Sequence, residues 1–500
     1  MDISALKSGT DLRGIALGEN NVLTDEAVEA AVGAFAYFLK EKTGKGGMLK
    51  IALGRDSRLS GERIALAAEN ALKKAGCEVF AAGLCSTPSM FMMTVFEETD
   101  CDGSVMITAS HHPSDRNGLK FFTKSGGIDS GDLDRIIAYA AEGKAAVGSA
   151  CKVNRKDFMA LYCDFLVSKA RSLSGREYPL ENMKITVDAG GGAGGFFAER
   201  VLAPLGADTS PSQYLQPDGN FSGHVPNPEN AAAMKFLTDG VVRSGSDLGI
   251  IFDADVDRAA IADASGREIT RNRLIALVSA ILLEEKSGGT IVTDSVTSAG
   301  LGKFITEHGG VHRRFKRGYR NVINEALRLQ ALGRDVPAAI ETSGHAALKE
   351  NYFLDDGAYL SLRLALKAAM MKEEGKNLTD LISDLEEPAE SAEIRLAIKT
   401  DDFRPVSAQI LAQLESVCCE LEKSGRCFLH KDSAEGVRAD MKFANGFFLA
   451  RTSVHDPVAV INIESNEFGG VKKIAGFLYA FFGQFSVLDC ASLEAAANNI

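Results

Sequence analysis

Three aspartates alternate with other residues in the middle of the chain, in the segment Asp253-Ala254-Asp255-Val256-Asp257. In extended backbone, residues two positions apart point the same way, so these three carboxylates are predicted to converge. Oxygen donors without cysteine or histidine are typical of a site for a hard cation, and Mg²⁺ is the expected metal. The apolar run Ile250-Ile251-Phe252 leads directly into the segment, which favours a built site over a solvated acidic turn.

Two other kinds of site have to be weighed for the same segment. An EF-hand loop is excluded, because its sixth position would be Arg258 instead of glycine and its twelfth Ala264 instead of glutamate. A phosphatase with an aspartate nucleophile stays open, since an apolar strand ending in Asp-x-Asp suits that chemistry as well. Such an enzyme would release inorganic phosphate and would not depend on a serine.

A hydroxyl flanked by imidazoles occurs in Thr108-Ala109-Ser110-His111-His112-Pro113, at the end of a strand predicted at 102–110. Loops at the carboxyl ends of strands contact ligands in α/β sheets, so Ser110 is a candidate nucleophile or phosphate carrier. Lys120 follows closely and would supply a cation or a proton. A polar turn without chemistry is the alternative for this segment.

Three further loops are candidates for ligand binding. Glu341-Thr342-Ser343-Gly344-His345 would bind sugar hydroxyls, and Arg451-Thr452-Ser453-Val454-His455-Asp456-Pro457 would form a phosphate cradle. Residues 190–195 satisfy the G-x-G-x-x-G pattern, but Asp208 comes too early for the acidic residue that a dinucleotide site requires. A tight strand-to-helix turn is the favoured interpretation of that glycine run. Arg13, Arg55 and Arg58 are compatible with ordinary surface charges.

Composition limits the class of protein. The chain has 500 residues, and 55 Lys and Arg against 67 Asp and Glu give a formal charge of −12. This balance excludes a general nucleic-acid binder, which needs a basic footprint. The apolar runs 274–283 and 474–488 are shorter than the ~20 residues of a membrane helix, so they predict core helices and no membrane partner. The absence of a signal-like N-terminus and the nine scattered cysteines predict reduced thiols and a cytoplasmic location.

Strand-like and helix-like segments alternate through most of the chain. A strand at 48–56, a helix at 61–76 and strands at 77–84 and 102–110 predict βαβ units and parallel strand pairs. The pattern restarts at 183–192 and at 288–296. After residue 385 the order of predicted elements changes to a helix at 402–424, two strands with alternating apolar residues and a helix from Gly469. We therefore expect four domains, at 1–155, 156–265, 266–388 and 389–500.

In this order and at these spacings, the segments resemble the α-D-phosphohexomutase superfamily, most closely its phosphomannomutase/phosphoglucomutase branch. SGTDLRG (8–14) is similar to the family's N-terminal loop, and TASHHP (108–113) to its phosphoserine loop. DADVDR (253–258) resembles its metal loop, ETSGH (341–345) its sugar loop, and RTSVHDP (451–457) its phosphate loop. The landmarks span about nine-tenths of the chain.

The resemblance implies three similar α/β domains with mixed, mostly parallel sheets and a smaller C-terminal α+β domain, arranged around a central cleft. It implies an intramolecular phosphotransferase of the isomerase class that interconverts the 1- and 6-phosphates of glucose, mannose or both. Ser110 would carry the phosphoryl group, Mg²⁺ would be the cofactor, and hexose 1,6-bisphosphate would be both intermediate and activator. The partners would be small hexose phosphates, with the protein a monomer or a homodimer.

The resemblance also assigns roles by motif. The expected metal ligands are Asp253, Asp255 and Asp257, together with the phosphate on Ser110. His111 and Lys120 match positions of proton transfer and phosphate contact, and Arg13 and Arg258 match active-site cations. The substrate-binding residues, beside Arg258, would be Glu341 and Ser343 on the sugar hydroxyls with His345 nearby, and Arg451, Ser453 and His455 on the distal phosphate.

Four departures from the family's usual motifs put the preferred sugar in doubt. His112 replaces an asparagine, the sugar loop begins Ile340-Glu341-Thr342, Tyr319 stands where histidine is common, and Val454-His455-Asp456 replaces Asn-Thr-Glu. A phosphoglucosamine mutase and a catalytically weak sugar-phosphate-binding paralogue are therefore the alternatives.

Overall fold

The computed structural model describes residues 1–400, 402–453 and 456–498. The chain divides into two compact units, each of which is discontinuous in sequence. The first comprises Met1–Ile281 and Pro337–Leu381, and the second comprises Leu282–Val336 and Ile382–Ile500.

The first unit opens with a mixed sheet and four helices. Its strands are β1 (Lys7–Ser8), β2 (Asp11–Ile15), β3 (Lys50–Arg55), β4 (Glu78–Leu84), β5 (Gly103–Ile107), β6 (Arg116–Thr123), β7 (Gly126–Gly127) and β8 (Lys152–Arg155), and its helices are α1 (Asp25–Thr43), α2 (Gly61–Lys74), α3 (Thr87–Met92) and α4 (Ser130–Ala141). The strand order is β1-β2-β6-β5-β3-β4-β8, with β7 beside β6. The pairs among β5, β3, β4 and β8 are parallel, as predicted for 48–110, whereas β1, β2 and β6 pair antiparallel.

The helices of this first sheet bury their apolar faces on it. Helix α1 begins where Thr24 accepts a hydrogen bond from the Ala27 amide, and it ends at Gly44, whose φ of 65° is left-handed. Phe35 of α1 packs against Phe121 of β6, with ring centroids 4.7 Å apart and the planes inclined by 35°. Apolar contacts of this kind fix β6, the strand that carries Lys120, in the sheet.

A second mixed sheet follows in the same unit. It contains β9 (Ile185–Asp188), β10 (Leu248–Phe252), β11 (Ala259–Asp263) and β12 (Glu268–Ile269), with helices α5 (Met159–Ser174), α6 (Ala231–Ser244) and α7 (Arg271–Glu285). The strand order is β12-β11-β10-β9, and only β10 and β9 are parallel. The glycine run 190–195 forms a tight turn after β9, and a π-helical turn at Phe197–Leu202 follows it.

The next segment, in the second unit, contains β13 (Thr290–Asp294), α8 (Ala299–Glu307), β14 (Val311–Phe315) and α9 (Tyr319–Ala331). Strands β13 and β14 are parallel. The chain then contributes β15 (Ala338–Ile340), β16 (Ala346–Leu348), β17 (Leu354–Asp355) and α10 (Gly357–Glu373) to the first unit. These three short strands are antiparallel neighbours, and the sugar loop lies between β15 and β16.

The second unit ends in an antiparallel sheet of five strands. Its elements are β18 (Glu390–Ala397), α11 (Phe403–Lys423), β19 (Cys427–Leu429), β20 (Val437–Met441), β21 (Gly446–Thr452), β22 (Val458–Ser465), α12 (Gly470–Phe482) and α13 (Ala491–Asn498). The order is β18-β22-β21-β20-β19. Its core contains Leu414 of α11, Phe448 of β21, Ile461 of β22 and Phe482 of α12. This arrangement matches the α+β fold class predicted for the C-terminal region.

None of the helices in the described ranges combines the length and the apolar character needed to cross a membrane. The apolar run at 274–283 forms most of α7, and the residues of this run are buried, as expected for a core helix. The run at 474–488 is helical only as far as Phe482.

A buried carboxylate joins α5 to α10 within the first unit. Asp356 caps α10 by accepting the Tyr359 amide at 2.9 Å, and it accepts the Tyr162 hydroxyl at 2.6 Å. Its second oxygen accepts the Asn351 side-chain amide at 2.9 Å. Burial raises the pKa of Asp356 to about 6, although these hydrogen bonds lower it. Compared with the unfolded chain, the folded state therefore favours the protonated form of the Asp356 side chain.

We expect Asp356→Asn to remove this pH dependence without loosening α10. Asparagine caps helices as well as aspartate does, and Asn351 can rotate its free Oδ1 toward the new amide. In the wild type, the stability due to Asp356 is complete below pH 3.8 and falls as pH rises through about 6. The variant should therefore gain up to about 3 kcal/mol over the wild type by neutral pH.

Urea unfolding midpoints of the wild type and D356N between pH 4 and pH 8 measure this difference. Asp129→Asn, at the exposed N-cap of α4, is the matched control. A gap between wild type and D356N that stays constant across the range would contradict the assignment.

Candidate active site

Ser110 lies just beyond β5 in a conformation that serine seldom adopts. Its φ is +50°, in the left-handed region, and only 3% of the residue is exposed. Its amide donates to Thr108 Oγ1 at 2.8 Å, and its hydroxyl donates to Asp253 Oδ2 at 2.7 Å. Left-handed backbone at a non-glycine residue costs about 1 kcal/mol or more and persists where surrounding contacts enforce it. The Ser110 hydroxyl is thus held in one direction, toward the aspartates.

Arg58 enforces the conformation of this serine loop. Its guanidinium donates to four backbone carbonyls of the loop, those of Ser110, His112, Pro113 and Arg116. Asp56 Oδ2 accepts from Arg58 Nε at 3.1 Å and from Thr108 Oγ1 at 2.7 Å. Because Arg58 is 1% exposed, its interpretation as a surface charge was wrong. Arg55, by contrast, forms a pair with Glu62, whose side chain is 83% exposed.

The three aspartates converge, but not for the reason that the sequence suggested. Strand β10 ends at Phe252, and residues 253–257 form a turn in which Val256 has a φ of +66°. One carboxylate oxygen from each of Asp253, Asp255 and Asp257 lies within 4.8 Å of the others, and all three residues are buried. The predicted convergence is confirmed, while the extended backbone assumed for it was wrong.

Backbone hydrogen bonds from distant segments hold this acidic loop from three sides. The carbonyls of its residues 254, 255 and 256 accept the amides of Ala193 at 2.8 Å, Thr87 at 2.8 Å and Gly357 at 3.1 Å. Gly192 explains part of the glycine run, since a Cβ there would lie 2.7 Å from the Ala254 Cα. The glycine run therefore serves close backbone approach to the acidic loop.

Two buried cations face the three carboxylates. Lys120 Nζ lies 2.8 Å from Asp255 Oδ2 and 2.5 Å from Asp257 Oδ2. Burial lowers the pKa of Lys120, but these carboxylates outweigh that effect and raise the pKa well above its ordinary value. Arg258 Nε lies 3.1 Å from Asp253 Oδ2, and its Nη2 donates to Ser110 Oγ at 2.9 Å. Arg258 thus connects the serine to the acidic loop.

The acidic loop has the donor set for a divalent cation. Burial, followed by repulsion from Asp257 and Asp255, raises the pKa of Asp253 well above its ordinary value. Buried Oδ1 atoms of Asp255 and Asp257 have no hydrogen-bond partner. Octahedral Mg²⁺ holds oxygens roughly 3 to 4 Å apart, and one oxygen of each aspartate lies within 4.8 Å of the others. These three residues therefore fit Mg²⁺ and would hold it beside Ser110.

Arg13 and His111 complete the surroundings of the serine. Arg13 Nη2 pairs with Asp11 Oδ2 at 2.7 Å, and its Nη1 donates to the Ala109 carbonyl at 3.5 Å. His111 Nδ1 accepts from Arg258 and lies 3.3 Å from Ser110 Oγ. Burial and then the charge of Arg258 lower the pKa of His111 to about 2, so its imidazole is neutral.

The sugar loop touches the acidic loop directly. His345 Nδ1 lies 2.9 Å from Ser343 Oγ and 3.6 Å from Glu341 Oε2, while its Nε2 lies 3.6 Å from Asp257 Oδ1. Residue 344 has a φ of +94°, and a Cβ there would lie 2.7 Å from the Ala259 carbonyl oxygen, so only glycine fits. Burial lowers the pKa of His345 to about 3.

Arg451 and Ser453 belong to the second unit. Arg451, at the end of β21, is 6% exposed, and its Nε lies 3.8 Å from Glu435 Oε1. Glu435 also accepts from the Ser295 hydroxyl and from the Arg317 amide. Ser453 Oγ accepts the Asp456 amide at 3.3 Å. The predicted ligand His455 lies outside the described residues.

The first unit thus brings together eleven of the fourteen residues predicted for the site, and two more lie in the second unit. Sequence reasoning missed three residues that contact them: Thr87, whose hydroxyl donates to Asp255 Oδ2 at 2.5 Å, Glu229, which lies 3.6 Å from Arg258 Nη1, and Glu435. No local pattern marks them, because each contacts its partner only across the fold.

Models of three phosphoglucomutase/phosphomannomutase α/β/α domains match this chain. Domain I matches residues 5–146, domain II residues 160–266 and domain III residues 270–388. The chain therefore belongs to the phosphoglucomutase/phosphomannomutase family of the α-D-phosphohexomutase superfamily. It is a phosphohexomutase, an enzyme of the isomerase class.

Individual relatives carry several names. The chain is 28% identical to a phosphoglucomutase of Neisseria gonorrhoeae over 469 residues, 93% of this chain and 94% of the relative. It is also 28% identical to a phosphomannomutase/phosphoglucomutase of Pseudomonas syringae, over 94% of this chain and 93% of the relative. A phosphoglucosamine mutase of Lactobacillus johnsonii matches at 28% identity over 86% of this chain and 92% of the relative.

A solved structure shares the fold. The crystal structure of a phosphoglucomutase/phosphomannomutase family protein from Burkholderia thailandensis superposes with a TM-score of 0.80 at 24% identity. The match covers 100% of this chain and 99% of that chain. The predicted α/β domains and the C-terminal α+β domain are confirmed by this likeness and by the family models.

We expect Arg58→Lys to disorder the serine loop. Lysine keeps the charge but cannot reach the four carbonyls that the guanidinium holds, so buried acceptors lose their donors. Stability should fall by about 3 kcal/mol and turnover by about a hundredfold, because the nucleophile is no longer positioned. Arg55→Lys, three residues away, changes a side chain that is 20% exposed and pairs with a Glu62 that is 83% exposed, so stability should change by less than about 1 kcal/mol.

Urea unfolding and steady-state turnover of a hexose phosphate measure both effects. Wild-type turnover in R58K would show that the serine loop holds its conformation without Arg58.

Proposed function

We propose that the enzyme interconverts the 1- and 6-phosphates of glucose and mannose through a phosphoryl group carried on Ser110. The observation that carries the proposal is the position of Ser110 Oγ, which lies 2.7 Å from Asp253 Oδ2 and 2.9 Å from Arg258 Nη2. A hydroxyl held between a buried carboxylate and a buried guanidinium suits a phosphoryl carrier.

In the first transfer, a hydroxyl of the hexose monophosphate attacks the phosphorus on Ser110. A new bond forms between phosphorus and the sugar oxygen, and the bond to Ser110 Oγ breaks with its electron pair left on Oγ. The proton lost by the sugar hydroxyl ends on Ser110 Oγ. The hexose 1,6-bisphosphate then turns over, and the reverse step returns the other phosphate to Ser110, so the enzyme is regenerated.

Charge stabilisation is the main task of the surrounding side chains. Arg258 Nη2 already donates to the oxygen that leaves, so it can stabilise the charge that develops there. Mg²⁺ bound by Asp253, Asp255 and Asp257 would neutralise charge on the transferring phosphoryl group. Lys120 stays protonated beside two of these aspartates and supplies a further fixed positive charge.

Proton transfer falls to groups near the serine. Neutral His111 presents Nδ1 at 3.3 Å from Ser110 Oγ, within reach of a proton relay once Arg258 turns to the phosphate. Lys120 matches the second such position of the family, and because its pKa lies well above the ordinary value, phosphate contact is the role that suits it. Arg13 lies against the serine loop through the Ala109 carbonyl and would bind a phosphate oxygen there.

Substrate binding is assigned to two loops. Glu341 and Ser343 would bind the O3 and O4 hydroxyls of the sugar, with His345 holding Ser343 in place at 2.9 Å. Arg451 and Ser453, with His455, would bind the phosphate distal from Ser110. The Arg451 Nε, which has no hydrogen-bond partner, supports an anion ligand there. One phosphate cradle serves both orientations of the bisphosphate, because it recognises only phosphate.

The serine is tested by Ser110→Ala, which should lose all measurable turnover of glucose 1-phosphate. The assay contains Mg²⁺, a trace of glucose 1,6-bisphosphate as activator and a coupled dehydrogenase that reports glucose 6-phosphate. Ser114→Ala, in the same loop, is the control and should keep wild-type turnover. Turnover in S110A would exclude the phosphoserine route and leave the aspartate-nucleophile alternative.

Parallel assays with mannose 1-phosphate and glucosamine 1-phosphate rank the sugars. We expect glucose and mannose phosphates to give higher kcat/KM than the amino sugar, because Ser343 offers a hydroxyl instead of a second carboxylate for an ammonium group. A preference for glucosamine 1-phosphate would identify a phosphoglucosamine mutase, a name that one group of relatives carries. Binding without turnover of any sugar would identify the paralogue without catalytic activity.

The metal assignment predicts that Asp255→Asn weakens Mg²⁺ binding. The substitution keeps the hydrogen bond from Thr87 but removes one of three anionic ligands. Mg²⁺ should raise the melting temperature of the wild type, and that rise should disappear in D255N. Asp239→Asn, on the exposed face of α6, should respond as the wild type does. Equal Mg²⁺ responses in wild type and D255N would contradict the assignment.

A further inference from the structure

The second unit contains a cavity that none of the site residues lines. Its volume is about 540 Å³, within the usual size of small-molecule pockets. The cavity lies against α8, β14 and β20. Its wall includes Lys303, His312, Arg314, His430 and Arg438, together with the backbone of Gly302. This concentration of nitrogen donors points to an anionic ligand.

Two arginines in the wall have no acidic partner. Arg314 Nη2 donates to the Ser298 carbonyl at 2.6 Å, and its Nε donates to Thr297 Oγ1 at 3.0 Å. Arg438 donates to the carbonyls of Ser295 at 2.9 Å and Thr297 at 3.1 Å, and its Nε has no hydrogen-bond partner. Within the described ranges, neither guanidinium has a carboxylate oxygen within 4.0 Å. The Arg438 guanidinium also lies 3.7 Å from the centroid of the Phe447 ring, so the direct partners of both charges among the described residues are neutral.

Asp440 and Glu464 act on the two arginines only over distances longer than an ion pair. Asp440 Oδ2 lies 3.0 Å from His430 Nε2, and burial raises the pKa of Glu464 to about 7 despite the arginines. Burial, and then the proximity of Arg314, lowers the pKa of Arg438 to about 9. An unpaired positive charge buried in this way is expensive unless an anion joins it.

His312 adds a buried ring nitrogen without a hydrogen-bond partner. Its Nε2 lies 2.8 Å from Thr293 Oγ1, while its buried Nδ1 has no hydrogen bond. Burial, and then the charge of Arg314, keeps the pKa of His312 well below its ordinary value. The Thr293 hydroxyl donates to the Asp294 carbonyl at 3.1 Å, so its oxygen accepts from Nε2–H, and Nδ1 is free to accept the hydroxyl proton of a monoanionic phosphate.

Gly302 leaves two of these nitrogen atoms uncovered. A Cβ at this position would lie 3.0 Å from both His312 Nδ1 and Arg314 Nη2. Glycine is the least favourable residue inside a helix apart from proline, and Gly302 lies within α8 without a left-handed φ. Its lack of a side chain is explained by the space it leaves next to the two nitrogens.

We propose that this cavity is a second anion site, which binds one phosphate group of inorganic phosphate or of a small phosphomonoester through His312, Arg314 and Arg438. Guanidinium groups match phosphate oxygens in geometry and charge. Glu307 and Asp440 in the same wall disfavour a polyanion, so the ligand carries a single phosphate. The residues are distinct from Arg451 and Ser453, so the site is additional to the proposed phosphate loop.

Inorganic phosphate is titrated by calorimetry into the full chain that carries Arg451→Ala. This background substitution removes the arginine of the proposed phosphate loop, so that binding at the cavity is measured. Glycerol 3-phosphate is titrated in parallel to distinguish the free anion from a phosphomonoester. Gly302→Ala and Arg314→Met are added separately in that background. Each substitution should weaken binding of the preferred ligand by about tenfold or more. The methyl group added by Gly302→Ala covers the His312 and Arg314 nitrogens, and Arg314→Met removes a guanidinium.

Gly476→Ala, in α12, is the matched control, since a Cβ there meets nothing within 4 Å. The R451A protein and the same protein with Gly476→Ala should bind phosphate with equal affinity. Equal affinity in G302A, R314M and the control, or no binding in the R451A background, would overturn the proposal.

A second measurement keeps the test decisive if R451A does not fold. In the wild type with ¹⁵N-labelled histidine, phosphate should shift the ring resonance of His312, assigned by its loss in His312→Gln. Gly302→Ala should abolish that shift, and Gly476→Ala should preserve it. A shift that is the same in G302A and G476A would contradict a site at this cavity.

Discussion

Three carboxylates buried within 4.8 Å of one another repel each other, and the site in the first unit depends on how that repulsion is balanced. Water cannot screen the charges in this position, so cations must lie close to them. Lys120 and Arg258 supply two such charges, but the pKa of Asp253 is still raised by burial and by its acidic neighbours, so repulsion remains that a divalent ion would relieve. A divalent ion at the loop would also offset the negative charge of a phosphoryl group on the serine beside Asp253.

A loop of this kind would relax away from its neighbours unless the backbone were fixed. Three successive carbonyls of the acidic loop are hydrogen-bonded by amides from residues 87, 193 and 357, each from a different part of the first unit. Gly344 allows the sugar loop to approach the strand that follows the acidic loop. Arg58 fixes the serine loop in a comparable way. The geometry is therefore assembled from many distant segments, which explains why the reacting groups cannot shift independently.

Much of this arrangement is predictable from short segments. The strand before Asp253, the strand before Ser110 and the alternation of helices and strands are local patterns, and the structure bears them out. The order of five motifs identified the family, which the domain models confirm. The burial of Arg58 was not predictable, because its carbonyl partners lie more than 50 residues along the chain. The acidic turn was also missed, since alternating aspartates fit a strand and a turn equally well.

The central claim is that Ser110 receives a phosphoryl group and gives it back to the sugar. Rapid-quench labelling with ³²P-labelled glucose 1,6-bisphosphate, followed by peptide mapping, tests it most directly. The account predicts label on Ser110 that moves to sugar phosphate within one turnover when unlabelled glucose 1-phosphate is added. Label on an aspartate, or label released as inorganic phosphate without transfer to sugar, would contradict it.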